Sequence, residues 1–105
     1  MIQRIGLKMK LFAGKTEEYK RRHDELWPEM KALLKEIGVA DYSIFLDEET
    51  NILFASLKIP NPALLNTLPN HPSVKRWWAY MADIMETNAD NSPKSSLLRE
   101  VFYLE

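Results

Sequence analysis

The chain contains no cysteine, and this absence removes whole classes of chemistry at once. Without thiols there are no disulfide bonds, no thiolate nucleophile and no zinc site built on cysteine. The glycines are only Gly6, Gly14 and Gly38, too scattered for a glycine-rich phosphate loop. A G-x-S-x-G nucleophile elbow is missing as well. The lack of cysteine agrees with a reducing compartment, and we expect a cytoplasmic protein.

The sequence also lacks a charge excess and a long apolar run. Its 14 basic and 15 acidic residues give a formal net charge of -1, whereas a protein that binds the nucleic-acid backbone needs a basic excess on one face. No stretch approaches the ~20 apolar residues of a membrane span, and the alternating N-terminus contains no signal-peptide core. The basic run at residues 20–22 is flanked by acidic residues and is interpreted as a solvated face. We expect a soluble protein without nucleic-acid or membrane partners.

What remains is a chain of 105 residues, 46% of them apolar, which is typical of one globular domain spanning residues 1–105. Near the N-terminus apolar and polar residues alternate, from Ile5 to Leu11, and this period of two predicts a strand. Residues 41–47 and 51–59 predict two further strands joined by a tight hairpin. Residues 97–104 predict a closing strand.

Two stretches have helical periodicity instead. Over residues 19–37 the apolar and aromatic positions recur at steps of three and four, and Gly38 supplies a stop. Pro28 lies inside this pattern, so we predict a kink or a short break near Leu26–Trp27. Residues 71–86 predict the second helix.

The order of elements is therefore β-α-β-β-α-β. This is the α+β, ferredoxin-like arrangement, in which two helices cover one face of a four-stranded antiparallel sheet. Since the other sheet face would leave apolar side chains exposed, we predict a homodimer.

His23 and His71 are the only side chains whose unperturbed pKa lies near neutral pH. His23 follows Tyr19 by about one helical turn, so the two side chains can meet over one small polar molecule. Alternatively, His23 bonds a carbonyl at the edge of the core while Tyr19 reaches towards water. His71 precedes a proline and is interpreted as a turn or helix-start residue. The two histidines have no ligand pattern near them, and we expect no metal site.

Aromatic residues supply the other candidates. Trp77 and Trp78 are neighbours whose side chains diverge by ~100° on a helix, so we expect one to anchor the core and the other to border a cavity. Indole rings pack on the C–H faces of sugars, and their N–H groups bond hydroxyls, although plain packing is the alternative. Tyr42 begins the second strand and shares the interior with Tyr19 and His23 if it faces the helices.

Five stretches, in this order and spacing, resemble the L-rhamnose mutarotase family: "EEYKRRHDELWPEM", "YSIFLD", "RWWAYMADIM", "NADNSP" and "EVFYL". The likeness covers essentially the whole chain. It implies a ferredoxin-like domain that dimerises through its sheets into an α/β barrel, and an isomerase that interconverts the α and β anomers of L-rhamnose without a cofactor. The family's proton donor matches His23, and its substrate contacts match Tyr19, Tyr42, Trp77 and Trp78.

Two other functions stay open beside this one. Dimeric ferredoxin-like barrels also host cofactor-free monooxygenases that act on aromatic compounds, a reading that rests on fold analogy. A non-catalytic dimer that only holds a small metabolite is the other alternative. The segment 87–96 has no periodicity and is rich in Asn, Asp, Ser and Pro, so we expect a loop. Its length in so small a domain is typical of a lid or a binding loop.

Overall fold

A computed structural model describes residues 2–105 of the chain. The elements, in chain order, are β1 (Gln3–Lys10), α1 (Thr16–Asp24), α2 (Pro28–Glu36), β2 (Ala40–Asp47), β3 (Ile52–Ile59), a 3-10 helix (Pro62–Asn70), α3 (Pro72–Met81) and β4 (Ser95–Leu98). The strands pair antiparallel in the order β2-β3-β1-β4. This is the ferredoxin-like sheet, and the predicted fold class is confirmed.

The helices cover one face of this sheet and form the core there. Met9 of β1 and Leu53 of β3 lie opposite each other in the register, and both side chains are buried. They belong to the same cluster as Leu33 of α2 and Val74 of α3. The period-two alternation therefore directs one set of strand side chains towards the helices and leaves the other set on the open face.

The helical pattern of residues 19–37 forms two helices, and the predicted break is confirmed at residues 25–27. Pro28 is the first residue of α2, where its missing N–H would have had no partner inside the helix. Gly38 ends α2 with a φ of +91°, and a Cβ at this position would lie 2.6 Å from Cδ of Pro60. Glycine thus satisfies both the backbone conformation and the space. Within residues 2–105, no helix is long and apolar enough to cross a membrane.

Two predicted element bounds are wrong. The second helical pattern was expected to run to residue 86, but α3 ends at Met81. The chain then turns back towards β1, where Leu11 and Met85 form an antiparallel bridge and Phe12 donates its N–H to the carbonyl of Ile84. These tertiary hydrogen bonds replace further helical turns. A periodic apolar pattern continues through this turn because Ile84 and Met85 are still buried.

The closing strand is also shorter than the prediction of residues 97–104. β4 spans Ser95–Leu98, and residues 99–105 are outside it. Of this tail, Val101 is 87% and Leu104 80% exposed. The tail returns to the open face of the sheet at Arg4, whose guanidinium lies 3.2 Å from the ring centroid of Tyr103. An apolar pattern that predicts a strand therefore leaves Val101 and Leu104 mostly exposed.

Candidate active site

A cavity of about 820 Å³ lies between the sheet and the helices, within the range of small-molecule sites. The candidate side chains reach it from three of the elements that line it: α1, the start of β2, and α3. All five residues selected from the sequence line this cavity, namely Tyr19, His23, Tyr42, Trp77 and Trp78.

Tyr19 and His23 are stacked, with ring centroids 4.3 Å apart and an interplanar angle of 29°. The Nδ1 atom of His23 lies 3.0 Å from the backbone carbonyl oxygen of Tyr19. Because a carbonyl oxygen only accepts, this hydrogen bond assigns the proton of a neutral ring to Nδ1 and leaves Nε2 as the acceptor. His23 is thus bonded to a carbonyl, as we expected for a histidine at the edge of the core, and it lines the cavity as well.

Three polar side-chain atoms of the site are free of hydrogen bonds to the described part of the protein. Among residues 2–105, the hydroxyls of Tyr19 and Tyr42 and the Nε2 of His23 take part in no hydrogen bond with another protein group, although Tyr19 is only 8% exposed. Among the residues of this range that are not exposed, no fully buried side-chain nitrogen or oxygen lacks a partner, so the Tyr19 hydroxyl and the Nε2 of His23 are accessible, and Tyr42 is itself 42% exposed. They are therefore free to bond the hydroxyl groups of a ligand.

Burial sets the protonation states of these groups. It lowers the pKa of the His23 imidazole below its ordinary value, against the smaller opposing effects of the Tyr19 carbonyl and the charge on Asp24. Burial also raises the pKa of both tyrosines, and the nearby Tyr42 phenol adds to the rise at Tyr19. As a whole residue Tyr42 is 42% exposed, but desolvation acts at its hydroxyl, which lies against the protein. At neutral pH the site presents a neutral imidazole and two protonated phenols.

Tryptophans form the wall across from the imidazole. Trp77 is buried and meets His23 edge to face, with ring centroids 5.4 Å apart. Trp27, which precedes α2, contacts Trp77 edge to face at 5.1 Å and stacks on Tyr80 at 5.5 Å. Trp78 is only partly buried. Trp77 therefore belongs to the core and lines the cavity as well, whereas Trp78 lines the cavity from a partly buried position. Trp27 lies at the same helical spacing as Tyr19 and His23, but its contacts with Trp77 and Tyr80 were not predicted because they depend on how α3 packs against the segment before α2.

The loop predicted at residues 87–96 contributes Thr87, Asn91 and Pro93 to the cavity wall. Its ends are joined by a bridge between Thr87 and Pro93, and the N–H of Asn88 donates to the carbonyl of Ser92 at 2.8 Å. Asn91 has a φ of +69°, in the left-handed region that asparagine tolerates better than most residues. The loop thus borders the cavity, as a binding loop does. Its movement as a lid stays a prediction.

The other histidine does not belong to this cavity, and the acidic residues form no metal site within residues 2–105. His71 occupies the N-cap position of α3, directly before Pro72, without a hydrogen bond from its side chain to the helix. It does not line the cavity, in agreement with its interpretation as a helix-start residue. Within residues 2–105, no group of three or more His, Asp or Glu side chains could hold a metal ion. The basic run at residues 20–22 is only partly a solvated face, because Arg22 is buried.

Known proteins resemble this chain over nearly its full length. A sequence model of a family described as L-rhamnose mutarotase matches residues 4–104. The L-rhamnose mutarotase of Agrobacterium fabrum is 57% identical over 103 residues, which cover 98% of this chain and 96% of that protein. The L-rhamnose mutarotase of Formosa agariphila is 55% identical over 104 residues, with 99% and 100% covered.

Solved structures agree with these relatives. The crystal structure of the Formosa agariphila L-rhamnose mutarotase matches with a TM-score of 0.90 at 55% identity and covers 98% of this chain and 99% of that chain. A conserved protein from Methanosarcina mazei matches with a TM-score of 0.62 at 18% identity, covering 95% and 92%. At that identity the second likeness shows the fold alone.

Proposed function

The chain belongs to the L-rhamnose mutarotase family, an isomerase family, and its function is to interconvert the α and β anomers of L-rhamnose; we propose that this reaction takes place in the cavity between α1, β2 and α3, with His23 moving the proton. The relatives support this function over a monooxygenase or a non-catalytic binding dimer. One observation carries the choice of residue: Nδ1 of His23 is bonded to a carbonyl, so the neutral ring has its acceptor nitrogen free in the cavity.

The chemistry needs one proton to leave and one to arrive. Opening the sugar ring removes the proton from the anomeric oxygen, whose electrons form the aldehyde as the bond between C1 and the ring oxygen breaks. The ring oxygen then takes a proton. In our proposal Nε2 of neutral His23 accepts the anomeric proton, and the imidazolium donates it to the ring oxygen. Rotation about C1–C2 followed by the reverse steps closes the other anomer. General acid–base catalysis of this kind typically contributes ~10²–10⁴-fold.

The other lining residues bind and orient the sugar in this proposal. The hydroxyls of Tyr19 and Tyr42 stay protonated at neutral pH because burial raises the pKa of both, so each can donate to the ring oxygen or to a neighbouring hydroxyl. Trp77 and Trp78 cover the apolar side of the sugar, including the methyl group of this 6-deoxyhexose. No step requires a cofactor.

The test is magnetisation exchange between the two anomeric protons of L-rhamnose, measured by NMR saturation transfer. Wild-type protein should accelerate the exchange, and His23→Ala should lose ~10²–10⁴-fold of the acceleration. His71→Ala is the matched control, because His71 is outside the cavity and its side chain caps no helix N–H. Wild-type protein without acceleration, or His23→Ala with the full rate, would overturn the proposal.

We also propose that the protein is a homodimer and acts in the cytoplasm. The open face of the sheet carries Phe45 and Phe54 directly opposite each other, 69% and 39% exposed. The tail adds Val101, Phe102 and Leu104, each at least 78% exposed. A second copy of the chain offers an equally apolar face to cover these side chains.

A further inference from the structure

Arg22 is the one charged residue that is buried among residues 2–105, with 8% of its surface exposed. All three nitrogens of its guanidinium are bonded. Nη1 donates to the carbonyl of Tyr80 at 2.6 Å and to Oδ1 of Asp83 at 2.8 Å, and Nη2 donates to Oδ2 of Asp83 at 3.2 Å. Nε donates to Glu18 at 2.7 Å. Such a bidentate fork fixes direction as well as distance.

These bonds join two helices that otherwise meet through aromatic side chains. Glu18 and Arg22 lie on α1, whereas Tyr80 is in the last turn of α3 and Asp83 follows its end. The last carbonyls of a helix have no partner inside the helix, and Arg22 supplies one to Tyr80. The guanidinium also lies 4.3 Å from the ring centroid of Tyr80.

The same two helices carry the two halves of the site. Arg22 directly precedes His23, and Tyr80 is three residues after Trp77. The contact between those halves is an edge-to-face contact of His23 with Trp77, at 5.4 Å between ring centroids. An aromatic contact of this kind has a broad energy minimum, so it does not by itself hold the imidazole to one place. The hydrogen bonds of the Arg22 guanidinium, one residue before His23, have a much narrower energy minimum because they require a fixed distance and direction.

We propose that Arg22 is a positioning residue: its bonds to Tyr80 and Asp83 set α1 against α3 so that the His23 imidazole keeps its place beside Trp77 and the sugar. This rests on the proposed role of His23. The guanidinium does not touch the substrate in this proposal and moves no proton. Removing it shifts the imidazole with respect to the sugar, and a displacement of ~1 Å can cost ~10²-fold in rate.

The experiment compares Arg22→Met and Arg22→Lys with the wild type. Rates of anomer exchange at low and saturating L-rhamnose separate KM from kcat, and ¹⁵N–¹H spectra of the imidazole report the position and tautomer of His23. In folded Arg22→Met, kcat should fall ~10–10²-fold, and the His23 resonances should move. Arg22→Lys keeps the charge without the fork, so it should recover only part of the rate.

Arg76→Met is the matched control. Arg76 of α3 also bonds a carboxylate on another helix, Glu29 at 3.4 Å, but its side chain is 61% exposed and lies outside the cavity. Its rate and its His23 resonances should stay those of the wild type. Should Arg22→Met fail to fold, Asp83→Asn removes the charge and one of the two acceptor oxygens of the same link from its exposed side, and it should lower kcat several-fold with a shift of the His23 signals.

Each outcome separates the two proposals. If wild-type protein does not accelerate exchange, the role of His23 fails, and the imidazole spectra still show whether Arg22 holds the ring. If the wild type is active and Arg22→Met, or in its place Asp83→Asn, is folded with an unchanged kcat, the positioning role is overturned. A lower kcat with unmoved His23 signals overturns it too.

Discussion

The two faces of the sheet differ in what their side chains lack. On the helix-covered face, the hydroxyls of Tyr19 and Tyr42 and the Nε2 of His23 have no hydrogen-bond partner within residues 2–105, and these side chains line a cavity of about 820 Å³. On the open face, Phe45 and Phe54 are 69% and 39% exposed and have no apolar cover. Polar atoms on the covered face lack hydrogen-bond partners, and aromatic side chains on the open face lack a surface to pack against.

The difference indicates two kinds of partner. A polar group in a desolvated cavity costs free energy until a donor or an acceptor meets it, which a small molecule with several hydroxyls can do. An exposed apolar face gains ~25 cal/mol for each Å² covered, and only a surface of comparable size covers it. A sugar cannot cover the open face, and a protein chain cannot enter the cavity. The comparison is therefore testable one face at a time.

After the loss of His23 itself, the largest effect should come from the phenols of the covered face. Tyr42→Phe removes one hydroxyl without changing the ring, and we expect the rate of anomer exchange to fall ~10²-fold, as for the loss of a hydrogen-bond donor in other active sites. Phe45→Tyr is the reverse change on the open face of the same strand and should leave the rate as it is. Saturation transfer at constant protein concentration measures both. Equal rates for wild type and Tyr42→Phe would mean that the free hydroxyl is not used.

The next effect belongs to the open face. Replacing both Phe45 and Phe54 by Glu puts like charges on the proposed dimer surface, and we expect the dimer dissociation constant to rise by ~10²-fold or more. Sedimentation at several concentrations measures it. Lys75→Glu is the control, because it changes the net charge by the same amount at an exposed residue of α3, on the other side of the sheet and outside the cavity. A wild type that sediments as a monomer, or a double variant that dimerises as tightly, would contradict the assignment of this face to a second copy.

Most of the covered face was predictable because its signals are local. The steps of three and four that place Tyr19 and His23 on one helical face, and the alternation that sends Tyr42 inward, depend on a few consecutive residues. The break before α2 followed from Pro28 alone. The whole-chain resemblance added the identity of the sugar, which periodicity does not contain.

What was not predictable depends on partners far along the chain. Arg22 lies in a basic run with acidic neighbours, which predicts a solvated face, yet its fork reaches Asp83, 61 positions away. The end of α3 is set by the bridge between Leu11 and Met85. The tail at residues 99–105 has the apolar composition of a strand, but within residues 2–105 it forms no strand. In each case the deciding contact is tertiary.

A smaller and graded effect should appear with pH. Burial lowers the pKa of His23 below its ordinary value, so the ring is neutral at pH 7 and above, and Nε2 can accept the first proton. The exchange rate should therefore be flat around neutral pH and fall as the pH drops through the lowered pKa. Stability follows the same sign: below the unfolded pKa of ~6.5 the unfolded state binds more protons, so this contribution is lost as pH falls to the folded pKa.

Rates of catalysed exchange from pH 4.5 to 8.5, corrected for the uncatalysed reaction, measure this profile. The imidazole signals of His23, identified by their absence from His23→Gln, give its pKa in the same samples. The stability difference between pH 7 and pH 5 should shrink in His23→Gln. A rate that falls as the pH rises above the His23 pKa would mean that the imidazolium acts first, as a donor.

The smallest effect tests the loop at the mouth of the covered face. Asn91 has a φ of +69° and lines the cavity, so either its backbone or its carboxamide could be what the site needs. Asn91→Gly keeps the left-handed conformation without the carboxamide, while Asn91→Ala should cost ~1 kcal/mol in the free energy of unfolding, because alanine keeps the Cβ but lacks the polar side chain with which asparagine tolerates this conformation. Urea unfolding and the exchange rate separate the two. If Asn91 is needed only for the left-handed backbone conformation, Asn91→Gly keeps the wild-type rate. The side-chain groups that bond the sugar are then limited to those of α1 and β2. A slower Asn91→Gly would add the loop carboxamide to the groups that bond the sugar.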